Sequence, residues 1–430
     1  MRFILALLLY RLLFLCLTPL LIIVFLLRSI NHPAYRARLL ERLGRLSPTL
    51  KPAGIVVHAA SVGEVIALKP FISQLITNYA ELPITITTFT PTGSAQVKKL
   101  FGDKVQHCYL PLDNIISTSL FLKRLKPKAM IFMETELWPN LIAQCERKHI
   151  KLLLVNGRLS DKSMRSYQKL AWLITPTIQR FDKILTQSQV NQDNYLAMGA
   201  NTDTCALSGN LKFDISINND LAAKQKELES LLTERRNVWL IASTHPGDEA
   251  LALTAFERIK QQDKKALLVI VPRHPERFSQ VVKLAQDAGN NVLKRSLKQS
   301  VTLETNVWII DTLGELLAAC ALADVVTMGG SFNEIGGHNP LEPALFQKPV
   351  IVGPNMSNFI EILAQLVSAR GIIQLSENED MPQSLANQVL QLFNDKASAQ
   401  TLGRNSYKVV QENQGATQCS LTALRALIDL

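Results

Sequence analysis

The stretch that decides the fold is residues 328–354, MGGSFNEIGGHNPLEPALFQKPVIVGP. It begins where a short apolar run, residues 325–328, stops at Gly329 and Gly330. An apolar run of this length bounded by glycine is typical of a strand buried inside a parallel sheet. Because glycine has no Cβ, the loop after this strand can turn sharply and lie close to a ligand. We therefore predict a buried strand that opens into a ligand-facing loop.

The rest of this stretch completes one parallel crossover. After a second glycine pair, Asn339 and Pro340 are typical of the N-cap and first position of a helix, and residues 349–352 form the next apolar strand. The N-terminus of such a helix lies at the carboxyl edge of the sheet and favours a phosphate. Glu342 follows closely enough to accept hydrogen bonds from ribose hydroxyls. The alternative is a structural turn with a capped helix, but the two glycine pairs and the early acid favour a nucleotide site.

Apolar strands alternate with helical segments along the whole chain. In the first half the predicted strands are residues 55–60, 84–90, 129–133, 152–156 and 183–187. In the second half they are residues 239–243, 266–271, 307–311, 325–328, 350–352 and 371–375. Such alternation predicts parallel sheets with helices on both faces, so the fold class is α/β.

The length of the chain predicts two domains. Its 430 residues exceed one ordinary domain, and a polar segment at residues 216–231 separates the two sets of strands. We expect two doubly wound, Rossmann-like domains facing a central cleft. The expected division is a membrane anchor at 1–30, a first domain at 31–214, a second at 215–396, and C-terminal helices at 397–430 that could return to the first domain.

Composition narrows the class of partner. The formal net charge is +10, which suits an anionic partner such as phospholipid, a phosphorylated substrate or nucleic acid. No stripe of basic residues interleaved with aromatics is present, so nucleic acid ranks last. The six cysteines are scattered without a C-x-x-C pair, and the seven histidines show no metal-binding spacing. These patterns argue against a metal site and a disulfide framework, and they indicate a reducing compartment.

Residues 3–27 are almost wholly apolar and long enough to span a bilayer as a helix, with Arg11 as their one charge. No small-residue cleavage site follows, so we predict an uncleaved anchor. The arginines after it predict that this side is cytoplasmic. The alternative is a helix or hairpin that only inserts into the membrane, which Pro19 in mid-run makes possible.

Glu64 follows the first predicted strand, at the edge where open parallel sheets bind ligands. The run SVGE at 61–64 is also a capping box, in which Ser61 caps a helix and Glu64 folds back onto it. Spacing alone favours the capping box. A carboxylate at this edge is nevertheless well placed to take a proton from a hydroxyl group.

Further charged residues follow other predicted strands and turns. Glu134 and Glu136 come just after the strand at 129–133, and Lys212 lies beside a glycine turn, where it could offset charge on a departing phosphate. Arg273 would present a planar fork to a phosphate. Thr312 and Glu315 form a second capping-box pattern. For each of these residues the alternative is a purely structural role, as a solvated surface charge or a helix cap.

These motifs together resemble the 3-deoxy-manno-octulosonate (Kdo) transferases, the glycosyltransferases that add Kdo to lipid A. The resemblance lies in VHAASVGE (57–64), METELWP (133–139), GNLKFD (209–214), PRHPERF (272–278), DTLGEL (311–316) and GGSFNEIGGHNPLEP (329–343), in order along the chain. Two small departures are Leu313, where methionine is common, and VNGR at 155–158 in place of an NAR-like run. Neither removes a charged group.

The resemblance implies the GT-B architecture and CMP-Kdo as donor, with no metal or other cofactor. It implies that Glu64 is the catalytic base, that Glu134 assists catalysis, and that Lys212 stabilises the leaving group. The residues that it implies for the nucleotide are Pro272, Arg273, Leu313, Gly314, Glu315, Gly329, Gly330, Ser331, Asn339, Pro340, Leu341 and Glu342.

The expected function is therefore an inverting transfer of Kdo from CMP-Kdo to the lipid A precursor, at the cytoplasmic side of the inner membrane. Expected partners are the donor, the lipid A precursor and anionic membrane lipids, and nucleic acid is not among them. Two alternatives remain at this point: a UDP-sugar transferase of similar build acting on another lipid, and a membrane-tethered nucleotide-binding scaffold.

Overall fold

The structure is a computed structural model that describes residues 2–215, 220–377 and 380–428. The chain forms two compact units. The first contains the residues up to Asp214 together with those from Asn413 onward, and the second runs from Ile215 to Glu412. Each unit contains one seven-stranded sheet, and all strand pairs in both sheets are parallel.

The first unit has the strand order β3-β2-β1-β4-β5-β6-β7. Its strands are β1 (Ile55–His58), β2 (Ile84–Thr88), β3 (Gln106–Tyr109), β4 (Ala129–Met133), β5 (Lys151–Gly157), β6 (Lys183–Thr186) and β7 (Cys205–Leu207). Its helices are α1 (Arg2–Asn31), α2 (Leu39–Arg42), α3 (Val62–Ala67), α4 (Lys69–Asn78), α5 (Pro91–Phe101), α6 (Ile115–Leu125), α7 (Pro139–Arg147), α8 (Asp161–Gln168), α9 (Ala171–Ile178) and α10 (Gln189–Ala197). Short 3-10 turns lie at Pro33–Tyr35, Gly102–Lys104 and Leu211–Phe213.

The second unit has the strand order β10-β11-β9-β8-β12-β13-β14. Its strands are β8 (Val238–Thr244), β9 (Leu267–Pro272), β10 (Val292–Lys294), β11 (Val307–Ile309), β12 (Val325–Met328), β13 (Val350–Val352) and β14 (Ile373–Gln374). Its helices are α11 (Leu221–Leu231), α12 (Asp248–Gln262), α13 (Phe278–Asp287), α14 (Leu316–Leu322), α15 (Leu341–Ala344), α16 (Ile360–Ser368), α17 (Met381–Asn394) and α18 (Lys396–Asn413). Its 3-10 turns are Pro275–Arg277, Arg295–Leu297 and Ser357–Phe359.

The predicted α/β class with two Rossmann-like domains is confirmed. Three strands were not predicted, namely β3, β7 and β10, and each of them is an edge strand of its sheet. Edge strands cover less of the core and need fewer apolar residues. In β3, QHCY, and β10, VLK, the apolar run is therefore too short to read from sequence.

Apolar residues cover both faces of the first sheet. Ile55 and Val57 face one buried cluster, whereas Val56 between them faces the other, as the two-residue period of a strand requires. A final helix, α19 (Ala416–Ile428), contributes Leu421 and Leu424 to the cluster around Ile55. The structure thus places α18 in the second unit and α19 in the first.

Asp214 attaches α19 to the first unit. Its carboxylate accepts hydrogen bonds from the backbone N–H groups of Gly415, at 2.7 Å, and Thr417. The N–H groups of a first helical turn have no partner within the helix, so a carboxylate at this end satisfies them and interacts favourably with the helix dipole. The last residue of the GNLKFD motif therefore has a structural role.

We expect Asp214→Ala to loosen α19 without unfolding the unit. Losing a side-chain cap costs about 1 kcal/mol, so amide hydrogen exchange in α19 should accelerate about fivefold, while exchange in α18 stays unchanged. Asp214→Asn is the control, because asparagine also caps helix N-termini. Equal protection of α19 in the Ala variant and the wild type would contradict this role.

Candidate active site

The carboxyl ends of β1 and β4 lie side by side at the centre of the first sheet. The chain leaves β1 towards β2 on one side, while β4 pairs on the other, so this is the point where the strand order reverses. Ligands of open parallel sheets bind at such a point. Glu64 follows β1 and Glu134 follows β4, so the topology brings the two predicted catalytic acids to one edge.

Glu64 lies in the first turn of α3, where its carboxylate is both a cap and an acid. Its Oε1 accepts from the Ser61 hydroxyl and its Oε2 from the Ala60 backbone N–H, both at 2.8 Å. The Ser61 Oγ in turn accepts from the Glu64 N–H at 3.4 Å. The predicted capping arrangement is therefore present, and it holds the half-buried carboxylate in one orientation at the sheet edge.

The pKa of Glu64 is raised to about 7. Burial is the main cause, and the negative charges of Glu134 and Glu136 raise it further, whereas the hydrogen bonds from Ser61 and Ala60 lower it. A carboxyl with a pKa near neutrality is suited to take a proton and later release it.

The backbone of Glu134 is held in a left-handed conformation, with φ at 57°. Its N–H donates to the Val155 carbonyl at 3.1 Å, and its own carbonyl accepts from the Tyr195 hydroxyl at 3.2 Å. Such a conformation costs free energy in a residue other than glycine, and residues held in this way cluster at functional sites. These backbone contacts therefore fix the position of the Glu134 Cα, from which the half-buried side chain extends.

Glu136 is held by two neighbours from buried parts of the unit. The Trp138 indole N–H donates to its Oε2 at 2.8 Å, and Nε2 of the fully buried His58 lies 3.4 Å from the same oxygen. Burial alone would raise the pKa of Glu136, but the contacts with His58 and Trp138 outweigh it and lower the pKa. Glu136 therefore stays charged and contributes to the raised pKa of Glu64.

Lys212 lies in the 3-10 turn that ends the first unit. The Asn210 side chain accepts from the Lys212 backbone N–H at 3.0 Å, and Asn156 Oδ1 accepts from the Leu211 N–H at 2.9 Å. The buried Asn156 is the second-to-last residue of β5, so it connects this turn to the carboxyl edge of the sheet.

In the second unit, the loop after β12 is shaped by glycine and by Asp248. A Cβ on Gly329 would lie 2.7 Å from the Ser243 carbonyl oxygen, so no other residue fits there. Asp248 Oδ2 accepts from the N–H groups of Gly330, at 2.7 Å, and His245, at 2.8 Å. One carboxylate thus joins the loops after β8 and β12, at the point where this sheet also reverses its strand order.

The helix predicted with Asn339 as its N-cap and Pro340 as its first residue begins one residue later, and it is short. It comprises only Leu341–Ala344, with Pro340 at the N-cap position, and Asn339 Oδ1 accepts from the Leu341 N–H at 3.2 Å. The predicted helix start was therefore wrong by one position. A four-residue helix has too few aligned peptide dipoles to bind a phosphate by itself. Gln347, three residues after α15 ends, has φ at 53°, a left-handed conformation that a continuing right-handed helix excludes.

Glu342 and Arg273 are two charged residues that the sequence predicts as nucleotide ligands at this edge. Burial raises the pKa of the half-buried Glu342 to about 7, and the charge of Arg273 opposes that rise. Arg273 follows β9 with its guanidinium exposed, and its N–H donates to the Thr244 carbonyl at 3.1 Å.

The second predicted capping box is wrong. Helix α14 begins at Leu316, and the buried Glu315 carboxylate accepts from Arg295 at 3.0 Å and from the Thr312 hydroxyl. An acid this buried needs a cation, so the ion pair prevails over the cap. Leu313 and Gly314 lie exposed in the loop before it, and Gly314 has φ at 77°.

Several of the predicted nucleotide residues are buried. The Ser331 hydroxyl donates to the Met328 carbonyl at 2.6 Å and accepts from the Gly353 N–H at 2.8 Å. These contacts give the hydroxyl a structural role in the loop. Pro272, Pro340 and Leu341 are buried as well. These side chains pack inward.

Three histidines at this edge were not singled out from the sequence. His245 and His338 stack with ring centroids 5.0 Å apart, and His274 meets His245 edge-on at 5.2 Å. Nε2 of His245 lies 2.8 Å from Nε2 of His338. Each follows a strand or a glycine pair, which is the signal that could have identified them. Within the described residues, no group of three or more metal-ligating side chains could hold an ion.

Comparisons with known proteins agree across the chain. The family described as 3-deoxy-D-manno-octulosonic-acid transferase (kdotransferase) matches residues 37–215, and glycosyl transferases group 1 matches residues 250–409. A 3-deoxy-D-manno-octulosonic acid transferase of Haemophilus influenzae is 38% identical over 98% of both chains. Another from Bordetella pertussis is 30% identical over 89% of both.

Solved structures support the fold. A glycosyltransferase from Rickettsia africae is similar with a TM-score of 0.54 at 12% identity, covering 87% of this chain and 98% of its own. A UDP-GlcNAc 2-epimerase from Neisseria meningitidis has a TM-score of 0.55 at 15% identity, covering 86% and 99%. The full-length identity to curated relatives decides the family: the chain belongs to the 3-deoxy-D-manno-octulosonic acid transferases and is a GT-B glycosyltransferase.

Proposed function

We propose that this Kdo transferase moves Kdo from CMP-Kdo to the lipid A precursor, at the cytoplasmic face of the inner membrane, with inversion at the anomeric carbon. The observation that carries the mechanism is the Glu64 carboxylate, oriented at the strand-reversal point and with its pKa raised to about 7. The identity of the donor and of the acceptor rests on the resemblance of the motifs.

Glu64 acts as general base in this proposal. It takes the proton from the 6′ hydroxyl of the acceptor disaccharide as the oxygen attacks the anomeric carbon of Kdo. The new C–O bond forms on the face opposite CMP, the bond to the phosphate breaks, and CMP leaves with the electron pair. The transition state resembles an oxocarbenium ion, as in other glycosyl transfers. Glu134 assists at the same edge, and Lys212 offsets charge on the departing phosphate.

The second unit binds the donor. Arg273 contacts the phosphate with its exposed guanidinium, and Glu342 accepts from the ribose hydroxyls. Gly329 and Gly330 let the loop approach the nucleotide. The Asp248 carboxylate stabilises that loop by accepting from the Gly330 N–H. Leu313, Gly314 and the backbone of Glu315 border the same edge, beyond Arg273 in the strand order.

The direct test is to incubate the detergent-solubilised protein with CMP-Kdo and the lipid A precursor, and to measure the mass of the product. We expect the mass to rise by whole Kdo units. UDP-sugars serve as the control donors. Transfer from a UDP-sugar but not from CMP-Kdo would favour the alternative transferase, and donor binding without turnover would favour a scaffold.

For Glu64→Gln we expect turnover to fall on the order of 10²-fold or more, since a general base contributes at least that much. Glutamine also serves at this position of a capping box, so the melting temperature and donor affinity should barely change. The measurement is single-turnover transfer beside a thermal melt. A stable Gln variant with near wild-type rate would remove Glu64 from the mechanism.

The rate should also depend on pH through Glu64. A base must be ionised, so single-turnover transfer should rise with pH and level off above a midpoint near the Glu64 pKa of about 7. Glu136→Gln removes one negative charge that raises this pKa, so its midpoint should lie at lower pH. An unchanged midpoint in that variant would contradict the electrostatic coupling.

The donor site predicts different losses for two variants. Arg273→Ala removes a phosphate contact, so affinity for CMP should fall while affinity for cytidine does not change. Glu342→Ala removes a ribose contact, so affinity for both should fall. Each loss should be about 10- to 100-fold, as for hydrogen bonds to charged groups worth about 1.5–3 kcal/mol. Calorimetry with both ligands measures it, and unchanged CMP affinity in both variants would place the nucleotide elsewhere.

A further inference from the structure

Helix α1 is long and apolar enough to cross a membrane, but its two faces differ. By length and composition, Leu5–Asn31 is a candidate membrane span. The side chains of α1 that face the rest of the first unit recur every three or four residues, and Tyr10, Arg11 and Thr18 are among them. The apolar remainder points away from the protein.

The inner face is docked by hydrogen bonds. The Tyr10 hydroxyl donates to Asp113 Oδ2 at 2.8 Å, and Arg11 Nε donates to Asn140 Oδ1 at 3.0 Å. Eight residues along the chain from Tyr10, Thr18 Oγ1 accepts from Asn114 at 3.1 Å. Arg11, the one charge of residues 3–27, therefore has a partner on the protein.

The docking continues to the far end of the helix. Phe25 is buried, and the guanidinium of Arg42 lies 4.3 Å from its ring centroid. At the near end, Leu7 is buried with Leu173 of α9. From Leu7 to Phe25 the helix rises about 27 Å at 1.5 Å per residue, close to the thickness of a bilayer's hydrocarbon core of about 30 Å. The contact with the first unit thus runs along almost a whole membrane-spanning length.

This contact and a transmembrane orientation exclude each other. If α1 crossed the bilayer, Asp113, Asn114 and Asn140 would lie at the depth of the acyl chains, together with the loops that carry them. These groups are themselves buried, but the exposed Arg147, whose charge acts on Arg11, would lie at the same depth, where a charge at a lipid-facing surface is costly. A docked α1 must therefore lie along the membrane surface.

The outer face of α1 is a broad apolar stripe. Its exposed large side chains are Leu5, Leu8, Leu9, Leu12, Leu13, Leu15, Leu20, Ile23, Val24, Leu26, Leu27 and Ile30. Exposed apolar side chains also lie on elements that α1 contacts: Leu170 and Trp172 at the start of α9, and Ile116 and Leu120 on α6, whose N-cap Asn114 donates to Thr18. Apolar surface of this extent marks an interaction site.

The charges beside the stripe favour a lipid bilayer as its partner. Arg28, Arg36 and Arg45 are exposed at the C-terminal end of α1 and just beyond it, in a chain of net charge +10. Anionic headgroups attract such residues. Two copies of the chain meeting through this stripe would instead bring like charges together.

We propose that α1 lies in the plane of the bilayer, with its inner face on the first unit and its outer stripe, including Trp172 and Ile116, in the boundary between headgroups and acyl chains. This rests on the membrane location in the proposed function and replaces a spanning anchor by a half-embedded one. The typical insertion depth of such a helix is about 5–10 Å.

The depth of a fluorescent label in the bilayer, measured at three positions on the outer face of α1, tests the proposal. Cys16 is exposed in mid-helix, and the other described cysteines are buried except the half-exposed Cys419, which Cys419→Ser removes. Leu5→Cys and Leu27→Cys, each combined with Cys16→Ser and Cys419→Ser, place the same fluorescent label near either end. The protein is bound to vesicles of phosphatidylethanolamine and phosphatidylglycerol carrying nitroxides at different acyl depths.

We expect all three labels to report the same shallow depth. A spanning helix would instead give a deep label at Cys16 and shallow labels on opposite sides of the bilayer at the two ends, and this result would overturn the proposal. Labels that no lipid nitroxide quenches would also overturn it, since the stripe would then face protein or water.

Trp172 of α9 gives a second readout that leaves α1 unaltered. Trp239 and Trp308 are buried and Trp138 is half-buried, so Trp172 is the exposed tryptophan. Brominated lipids should quench part of the fluorescence, and Trp172→Phe should abolish that part. Absence of quenching in the wild type would mean that the first unit lies clear of the bilayer.

Transfer assays on the same preparations separate this proposal from the proposed function. Detergent-dispersed precursor removes any dependence on the bilayer. Transfer in detergent with a spanning depth profile would overturn only the placement of α1. A shallow profile without transfer from CMP-Kdo would overturn only the proposed function.

Discussion

Parallel pairing of the central strands is the constraint on which the rest of each unit depends. Because β1 pairs with β4 and β8 with β12 in the same direction, the loop after each of these strands emerges at one edge of its sheet. Residues 70 positions apart, such as Glu64 and Glu134, then come within reach of each other's charge. Without this pairing the acids would be separate surface groups with ordinary acidity.

At the first of these edges, capping and acid–base chemistry use the same contacts. The Ala60 N–H and Ser61 hydroxyl that satisfy the start of α3 also orient the Glu64 carboxylate. They stabilise its charged form, while burial and the neighbouring carboxylates oppose it. His58 and Trp138 keep Glu136 ionised beside it. When the environments of two nearby acids give them different pKa values, the two acids can take different roles in catalysis.

In the second unit, buried ion pairs shape the loops around the exposed Arg273. Glu249 accepts two hydrogen bonds from Arg277, at 2.6 and 3.0 Å, and a third from Thr244 at 2.6 Å. The Thr244 carbonyl in turn accepts from the backbone N–H of Arg273. Removing one partner of such a buried pair is costly, so Glu249 has a structural role in supporting the loop. The half-buried Glu342 is instead the acid whose pKa burial raises and the charge of Arg273 lowers.

The sequence by itself determined the α/β class, the central strands and the positions of the acids that follow them. Central strands such as β4 and β12 are buried on both faces, so their apolar runs have clear ends, and both were predicted with the bounds that the structure has. The edge strands β3, β7 and β10 lack this signal, because an edge needs less burial.

Only the tertiary structure decided the remaining roles. Glu315 has the spacing of a helix cap, but a buried arginine from another element takes its carboxylate. Helix α1 has the composition of a spanning anchor, but Asp113, Asn114 and Asn140 meet its polar residues from far along the chain. Composition and spacing describe a residue's own element, whereas its partner is set by which elements the fold packs together.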